Sequence, residues 1–309
     1  MNKKMIMVLG IASMLLLSAC GQAAPAASSP TPAAATTTTK PADSTATAAK
    51  DPRIASISIF LTSDLLALGI APVGSATSDY LPTVPERFKD TKFLGFTKDP
   101  DMEALLALKP DAIYIDAEFA GKQGLAKYEK IAPTHVINLD EGTWRDHLKA
   151  IGKLVNREQK AEDFIKDYEA QAERVKALIH NKIGDGTVMA VRISAKNLRV
   201  YGMGRPLGPI LFNDLGLKPA KGVEKITKNF EVVSQEVFPD YDADAIFVLV
   251  GFEEGNDKVY EQLKNNPIWQ GLKAVKANKV YMITEQPWLD YSALGNKLAL
   301  DSLEKLFAK

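Results

Sequence analysis

"EQKAEDFIKDYEAQAERVKALIHN", residues 158–181, decides how the rest of the chain is divided. Its apolar side chains recur at Ala161, Phe164, Ile165, Tyr168, Ala172, Val175, Leu178 and Ile179. Steps of three and four put them on one stripe of a helix of about six turns, ~35 Å long. No strand pattern interrupts it. Gly184 and Gly186 follow, and a β-rich run restarts at once. A long helix midway between two β-rich halves reads as a connector between lobes; the blander alternative is a packing helix of one large domain.

Working outward, short β-rich runs alternate with helical patterns on both sides. The strand candidates are 54–60, 71–76, 111–116, 134–139, 187–193, 198–202, 244–250 and 279–284. Between them lie helical stretches such as "SDLLALG", which Ser63 would cap and Gly69 would close. This alternation defines an α/β chain with mostly parallel sheets. The body, roughly 260 residues, is larger than one core usually holds. The expected division is a first lobe at 51–157, the connecting helix at 158–182 and a second lobe at 183–309.

The halves also echo each other. "LLALGIAPVG" (65–74) resembles "LFNDLGLKPAKG" (211–222), and "MEALLALKPDAIYI" (102–115) resembles "QEVFPDYDADAIFVL" (235–249). Glu103 precedes Asp111 by the same interval that separates Glu236 from Asp244. Either acid alone could simply complement a helix dipole. Matched spacing inside a repeat gives the two carboxylates equivalent places, one per lobe.

The amino end carries different information. Lys3 and Lys4 precede an apolar run from Met5 to Leu17, too short to span a bilayer comfortably and followed by small residues. Residues 1–19 thus read as an export signal. "LSACG" resembles the lipobox of bacterial lipoproteins, which makes Cys20, the only cysteine, the expected lipidation site. The tether at 20–50 has almost no large apolar side chains and cannot offset the entropy of ordering. As a coil its ends would lie roughly 30 Å apart. The 38 basic and 38 acidic side chains balance, which argues against nucleic acid as a partner.

Charge is nevertheless concentrated in "VRISAKNLRVYGMGR" (191–205), which holds Arg192, Lys196, Arg199 and Arg205. Arg192 shares strand parity with Val188 and Ala190, so it projects from an apolar face and requires an anionic partner, either a ligand or a carboxylate of the chain. Arg199 and Tyr201 share parity on the next strand. Arg205 lies in the glycine loop beyond, and Lys196 is a turn residue.

The ordered set "LLALGIAPVG", "DMEALLALKPDAIYI", "YEKIAPTHVI", the long helix, "RISAKNLRVYG", "VVSQEVFPDYDADAIFVL", "NPIWQGLKAVKANKVYMIT" and "WLDYSALGNKLALDSLEKL" resembles the iron–siderophore solute-binding lipoproteins of ABC importers. The resemblance covers nearly the whole body. It implies two Rossmann-like lobes joined by one rigid helix, with a ligand cleft between them. It implies a monomeric, non-enzymatic protein, lipid-anchored on the outer face of the cell membrane, with a Gram-positive surface favoured by the long tether. Its partners would be an anionic ferric siderophore, a catecholate among the options, and a permease with its ATPase. No cofactor is expected, and iron would arrive only inside its chelator. Glu103 and Glu236 fall on the positions that dock against permease arginines, and Arg192 falls on a siderophore contact.

An anionic chelate calls for fixed cations, donors and aromatic walls, because opposite charges ~4 Å apart gain about 4 kcal/mol at an effective dielectric of 20. Besides Arg192, Tyr201, Arg199 and Arg205, the candidates are Lys228, Lys98, Lys122, Gln286, Trp288 and Tyr291. For each of the latter six, a plain surface role is the competing reading. Cobalamin or haem is the alternative ligand: Trp288 and Trp144 are available to clasp a corrin, and a tyrosine would serve haem. "GMGRPLG" (202–208) alone is weak support for a dinucleotide loop, and there is no GxSxG elbow for a hydrolase. His135, His147 and His180 form no metal-binding pattern.

Overall fold

The fold comes from a computed structural model, which describes residues 52–78 and 88–308. The expected signal, Cys20 and the tether lie outside the described residues.

The first sheet has the order β4-β3-β2-β1-β5-β6. Its strands are β1 (Ile54–Ile57), β2 (Gly74–Thr77), β3 (Lys92–Phe96), β4 (Asp99–Pro100), β5 (Ala112–Asp116) and β6 (Thr134–Ile137). Only the β3–β4 pair is antiparallel. The second sheet has the order β10-β8-β7-β11-β12: β7 (Thr187–Ile193), β8 (Leu198–Tyr201), β10 (Phe230–Val233), β11 (Ala245–Val250) and β12 (Val280–Ile283). A short β9 (Lys218–Pro219) pairs with the base of β7. Here β7, β11 and β12 are parallel, and β8 runs antiparallel to both of its neighbours.

The chain completes the first sheet before it begins the second, passing through α3 (Trp144–Leu154) and α4 (Glu158–Ile183). In α4 the apolar stripe is buried at Ala161, Ile165, Tyr168, Ala172, Val175 and Ile179. That stripe packs against α3 and against α5 (Ala293–Phe307). Gln171 is buried on the same side and donates to Asp301 at 2.7 Å and Glu304 at 2.8 Å. One continuous apolar core therefore runs from Ile54 in β1 through α4 to Phe307 in α5. A smaller cluster around Ile57, Leu94, Leu105 and Ile113 fills the other face of the first sheet.

The lobes also meet where α1 (Ile59–Ala67) packs against α5. Here the structure corrects a boundary. The chain leaves β1 at Ile57 and α1 starts at Ile59, so Ser63 lies inside the helix and does not cap it. Its hydroxyl donates to Asp290 at 3.0 Å, just ahead of α5. Asp64 accepts the Ala293 N–H at 2.7 Å. Strands β3, β4, β9 and β10 were not anticipated. Gly95 bends β3 with φ +82°, and β9 spans only two residues.

The internal repeat is structural. The Asp111 N–H donates to the Arg53 carbonyl, and its carboxylate accepts the Arg53 N–H at 2.8 Å. Asp244 does the same to Thr187, with its carboxylate at 2.7 Å. Each aspartate ties the start of its strand to the start of the central strand beside it. Pairing of Ile54 with Ala112 and of Val188 with Ala245 then makes β1 equivalent to β7. On that register Ser58 in the first lobe corresponds to Arg192 in the second.

Candidate functional site

Open α/β sheets present ligand-binding groups beyond the carboxyl ends of their strands, and both sheets end there in polar side chains. In the second lobe the edge is built around Arg192, which is 7% exposed at the end of β7. Its Nε donates to Glu285, the second residue after β12, and its guanidinium pairs with Glu253 at 3.4 Å, just past β11. Glu285 also accepts the Phe252 N–H at 3.0 Å. Asn256 donates to Glu253 at 2.7 Å and accepts the Ala195 N–H at 2.7 Å. Burial works against the Glu253 charge, yet its hydrogen bonds and Arg192 hold it below the usual carboxylate range. A buried cation needs a partner. The chain supplies two.

Arg199 is the register partner of Arg192 across the β7–β8 pair, on the same face of the sheet. Its Nε donates to Asn197 at 2.9 Å, and its guanidinium lies over the Phe230 ring at 4.4 Å. Among the described residues it has no ion pair. Tyr201, two residues on, is almost fully buried and edge-on to Phe230. Burial pushes its phenol up to about 12, against the opposing pull of Arg192 and Arg199.

Arg205 reaches across to the first lobe. Its guanidinium donates to the Leu139 carbonyl and to the Asp140 carboxylate, just beyond β6. It also covers the Tyr291 ring at 4.3 Å, and Tyr291 stacks on Phe60 of α1 at 3.9 Å. A cavity of about 240 Å³ opens here, walled by Trp144, Arg145, Arg205, Asp214 and Tyr291.

The first lobe's edge is made differently. Ser56, Ser58, Thr62, Ser75, Thr77, Ser78 and Thr97 are all buried. Thr62 and Ser75 share a hydrogen bond at 2.6 Å, and Thr97 donates to the Thr77 carbonyl at 3.1 Å. Among the described residues the buried Thr77 hydroxyl has no hydrogen-bond partner. The charged group of this edge is Asp116, whose carboxyl is raised chiefly by burial despite the Glu118 N–H.

The other sequence candidates separate. Trp288 is not a wall for a ligand: it is 1% exposed, packs near Phe247, and gives its indole N–H to Ser302 at 3.0 Å. The apolar run of α5 draws it into the core. Gln286 is partly buried, and among the described residues neither of its enclosed amide atoms has a hydrogen-bond partner. Lys122 is exposed and paired with Glu118. Lys98 is exposed with its amine 5.9 Å from the centre of the Phe96 ring, and Lys228 is exposed on the loop before β10. Glu103 stands exposed in the first turn of α2 (Met102–Ala107), and Glu236 stands exposed in a short turn of helix at 235–237. Sequence reasoning missed Glu285, Glu253 and Asp140. Each follows a strand, and a search for acids at strand ends near the arginines would have found them.

Among the described residues no group of three or more His, Cys, Asp or Glu side chains could hold a metal ion. His147 bonds the Glu141 carbonyl at 2.6 Å, and His135 packs beside Tyr114. No helix among the described residues is long and apolar enough to cross a membrane.

Two α/β lobes in tandem, each with a polar carboxyl edge and with an arginine crossing between them, define a solute-binding protein. Residues 54–287 match the family described as periplasmic binding protein, and the chain belongs to that family. YfiY of Bacillus subtilis, a probable siderophore-binding lipoprotein, is 32% identical over 321 residues, covering 96% of this chain and 95% of that one. SirA of Staphylococcus aureus, solved with staphyloferrin B, matches with a TM-score of 0.71 at 27% identity, over 84% of this chain and 94% of that chain. FeuA of Bacillus subtilis, solved with ferri-bacillibactin, matches at 0.67 and 27% identity, over 83% and 92%.

Proposed function

We propose that this chain is the lipid-anchored solute-binding component of an ABC importer, which captures a ferric siderophore between its lobes and hands it to the permease. The observation that carries the reading is the match to siderophore-binding relatives over both lobes, coupled to a guanidinium-rich edge where such a ligand would lie. Cys20 would hold the lipid, on the outer face of the membrane. The step is binding and release, with ATP used by a partner ATPase.

In this reading Glu103 and Glu236 serve the permease and not the ligand. Both are exposed at matched places in the repeat, and hydrogen bonding to Ser234 holds the Glu236 carboxyl below its ordinary range, so it is an anion at neutral pH. The deciding experiment is a tryptophan-fluorescence titration with ferric trihydroxamate, ferric hydroxamate–citrate and ferric tricatecholate complexes, with cobalamin and haem alongside. Trp144 lies at the lobe junction and supplies the signal. Saturable binding of a ferric complex is expected; binding of cobalamin or haem alone would sink the proposal. Glu103→Ala with Glu236→Ala should cut uptake about tenfold or more, the loss expected from two interfacial charges, and leave ligand affinity unchanged. Weakened ligand binding with normal uptake would remove the docking assignment.

A further inference from the structure

Relatives with different chelates match this chain about equally well, so the choice of ligand falls to its own charges. Three hydroxamates, each singly negative, cancel the charge of ferric iron. Three catecholates, each doubly negative, leave a trianion. A site for the trianion needs cations in excess of its own acids; a site for a neutral or singly charged complex does not.

The described edges are not in excess. Arg192 faces Glu285 and Glu253, Arg205 faces Asp140, and Lys122 faces Glu118. These three cations thus meet four carboxylates before Arg199 is counted. Glu253 and Asp140 are 49% and 73% exposed at the side chain, so their charge is presented to an incoming ligand and not hidden in the core. Lys98 and Lys228 sit on exposed loops. Ionic strength screens such amines beyond about 8 Å, and they steer an anion more than they hold it.

Arg199 differs from all of these. It is half-buried, laid on the Phe230 ring and fixed by Asn197, and among the described residues no carboxylate neutralises it. A guanidinium held on an aromatic face is pre-organised, and its planar fork suits the oxygens of a hydroxamate or a single carboxylate. We infer that the ligand is a ferric complex of the hydroxamate kind, neutral or with one negative charge, and that Arg199, not Arg192, is the cation that meets it. Arg192 is then a positioning residue that keeps Glu285 and Glu253 in place. The inference rests on the siderophore-binding reading above.

The test compares affinities of the full chain for ferric trihydroxamate, ferric hydroxamate–citrate and ferric tricatecholate complexes by isothermal titration. At least one hydroxamate-containing complex should bind about tenfold or more tightly than the tricatecholate, a gap of about 1.4 kcal/mol. Arg199→Met should weaken that complex about tenfold with the melting temperature kept, and Arg199→Lys should recover only part of the loss. Glu253→Gln, which leaves Arg192 paired to Glu285, should raise tricatecholate affinity by about threefold or more. Preference for the tricatecholate, or full affinity in Arg199→Met, overturns the inference and leaves the transport reading standing. Failure of all three complexes to bind overturns the transport reading, and the inference falls with it.

Discussion

The two lobes share a frame and differ at one edge. Position for position, Ser58, just past the central strand of the first lobe, corresponds to Arg192 near the end of the central strand of the second. Around Ser58 the buried polar groups are mostly hydroxyls, which bond to one another or to nearby backbone carbonyls. Around Arg192 they are charges, closed by Glu285 and Glu253. The first lobe places β2 parallel along β1. The second keeps only the base of that strand, β9, and fills the rest of the flank with antiparallel β8, which carries Arg199 and Tyr201. A duplicated scaffold thus holds one wall built mainly of hydroxyls and one built around a paired arginine, and the inserted strand adds a second arginine to the latter.

The sharpest way to break this comparison is to remove a charge from one edge and a hydroxyl from the other. Glu285→Gln leaves a buried guanidinium with only the more distant Glu253, and loss of one partner of a buried pair costs about 3–5 kcal/mol. In a chain of this size that lowers the melting temperature by roughly 6–20 °C. Ser58→Ala removes a hydroxyl that makes no capping bond to α1 and should cost no more than about 1 kcal/mol. Equal losses in a thermal melt would mean that the edges do not differ as drawn.

A middle-sized effect tests what the lobes share. Asp111→Ala and Asp244→Ala each leave one backbone N–H of a central strand without its carboxylate, at about 1–3 kcal/mol. The two losses should be similar, with Asp244 somewhat larger because Lys273 also lies at 2.6 Å. That lysine, with the Thr187 N–H, holds the Asp244 carboxyl below its ordinary value. Its contribution is therefore present above the unfolded carboxylate pKa, about 3.9, and lost as pH falls through the folded value. Asp244→Asn should accordingly approach wild-type stability in acid and fall behind it at neutral pH. A gap that stays constant with pH would separate Asp244 from this role.

The frame was legible in the sequence because periodicity reports burial. The stripe of α4, the runs of β7 and β11 and the matched aspartates are dictated by a core that any α/β lobe must fill. What escaped were partners supplied from a distance. Arg192 visibly needed an anion, yet nothing in "VRISAKN" names Glu285, which the chain brings back 93 residues later. Trp288 read as a surface aromatic because "TEQPWLDY" looks like a loop, whereas its indole belongs to the face of the second sheet covered by α5. Arg199 looked less committed than Arg192 for the same reason: pairing across strands is a property of the fold and not of the segment.

The smallest effect lies where the two lobes touch. Asp64 of α1 and Asp290 ahead of α5 are both buried, and Asp64 carries its hydrogen bond to Ala293 across that contact. Burial raises the Asp64 carboxyl well above its ordinary value; the Ala293 N–H opposes this and the nearby Asp290 carboxylate adds to it. A raised folded pKa means the fold prefers the neutral acid. The associated stability is complete below the unfolded value, about 3.9, and is lost as pH rises toward and through the folded one. Asn at this position keeps an oxygen for the Ala293 N–H and cannot ionise. As pH rises above about 4 the wild-type melting temperature should therefore fall relative to that of Asp64→Asn, a divergence read from thermal melts across pH. Parallel pH profiles for the two proteins would show that the lobe contact holds no such proton.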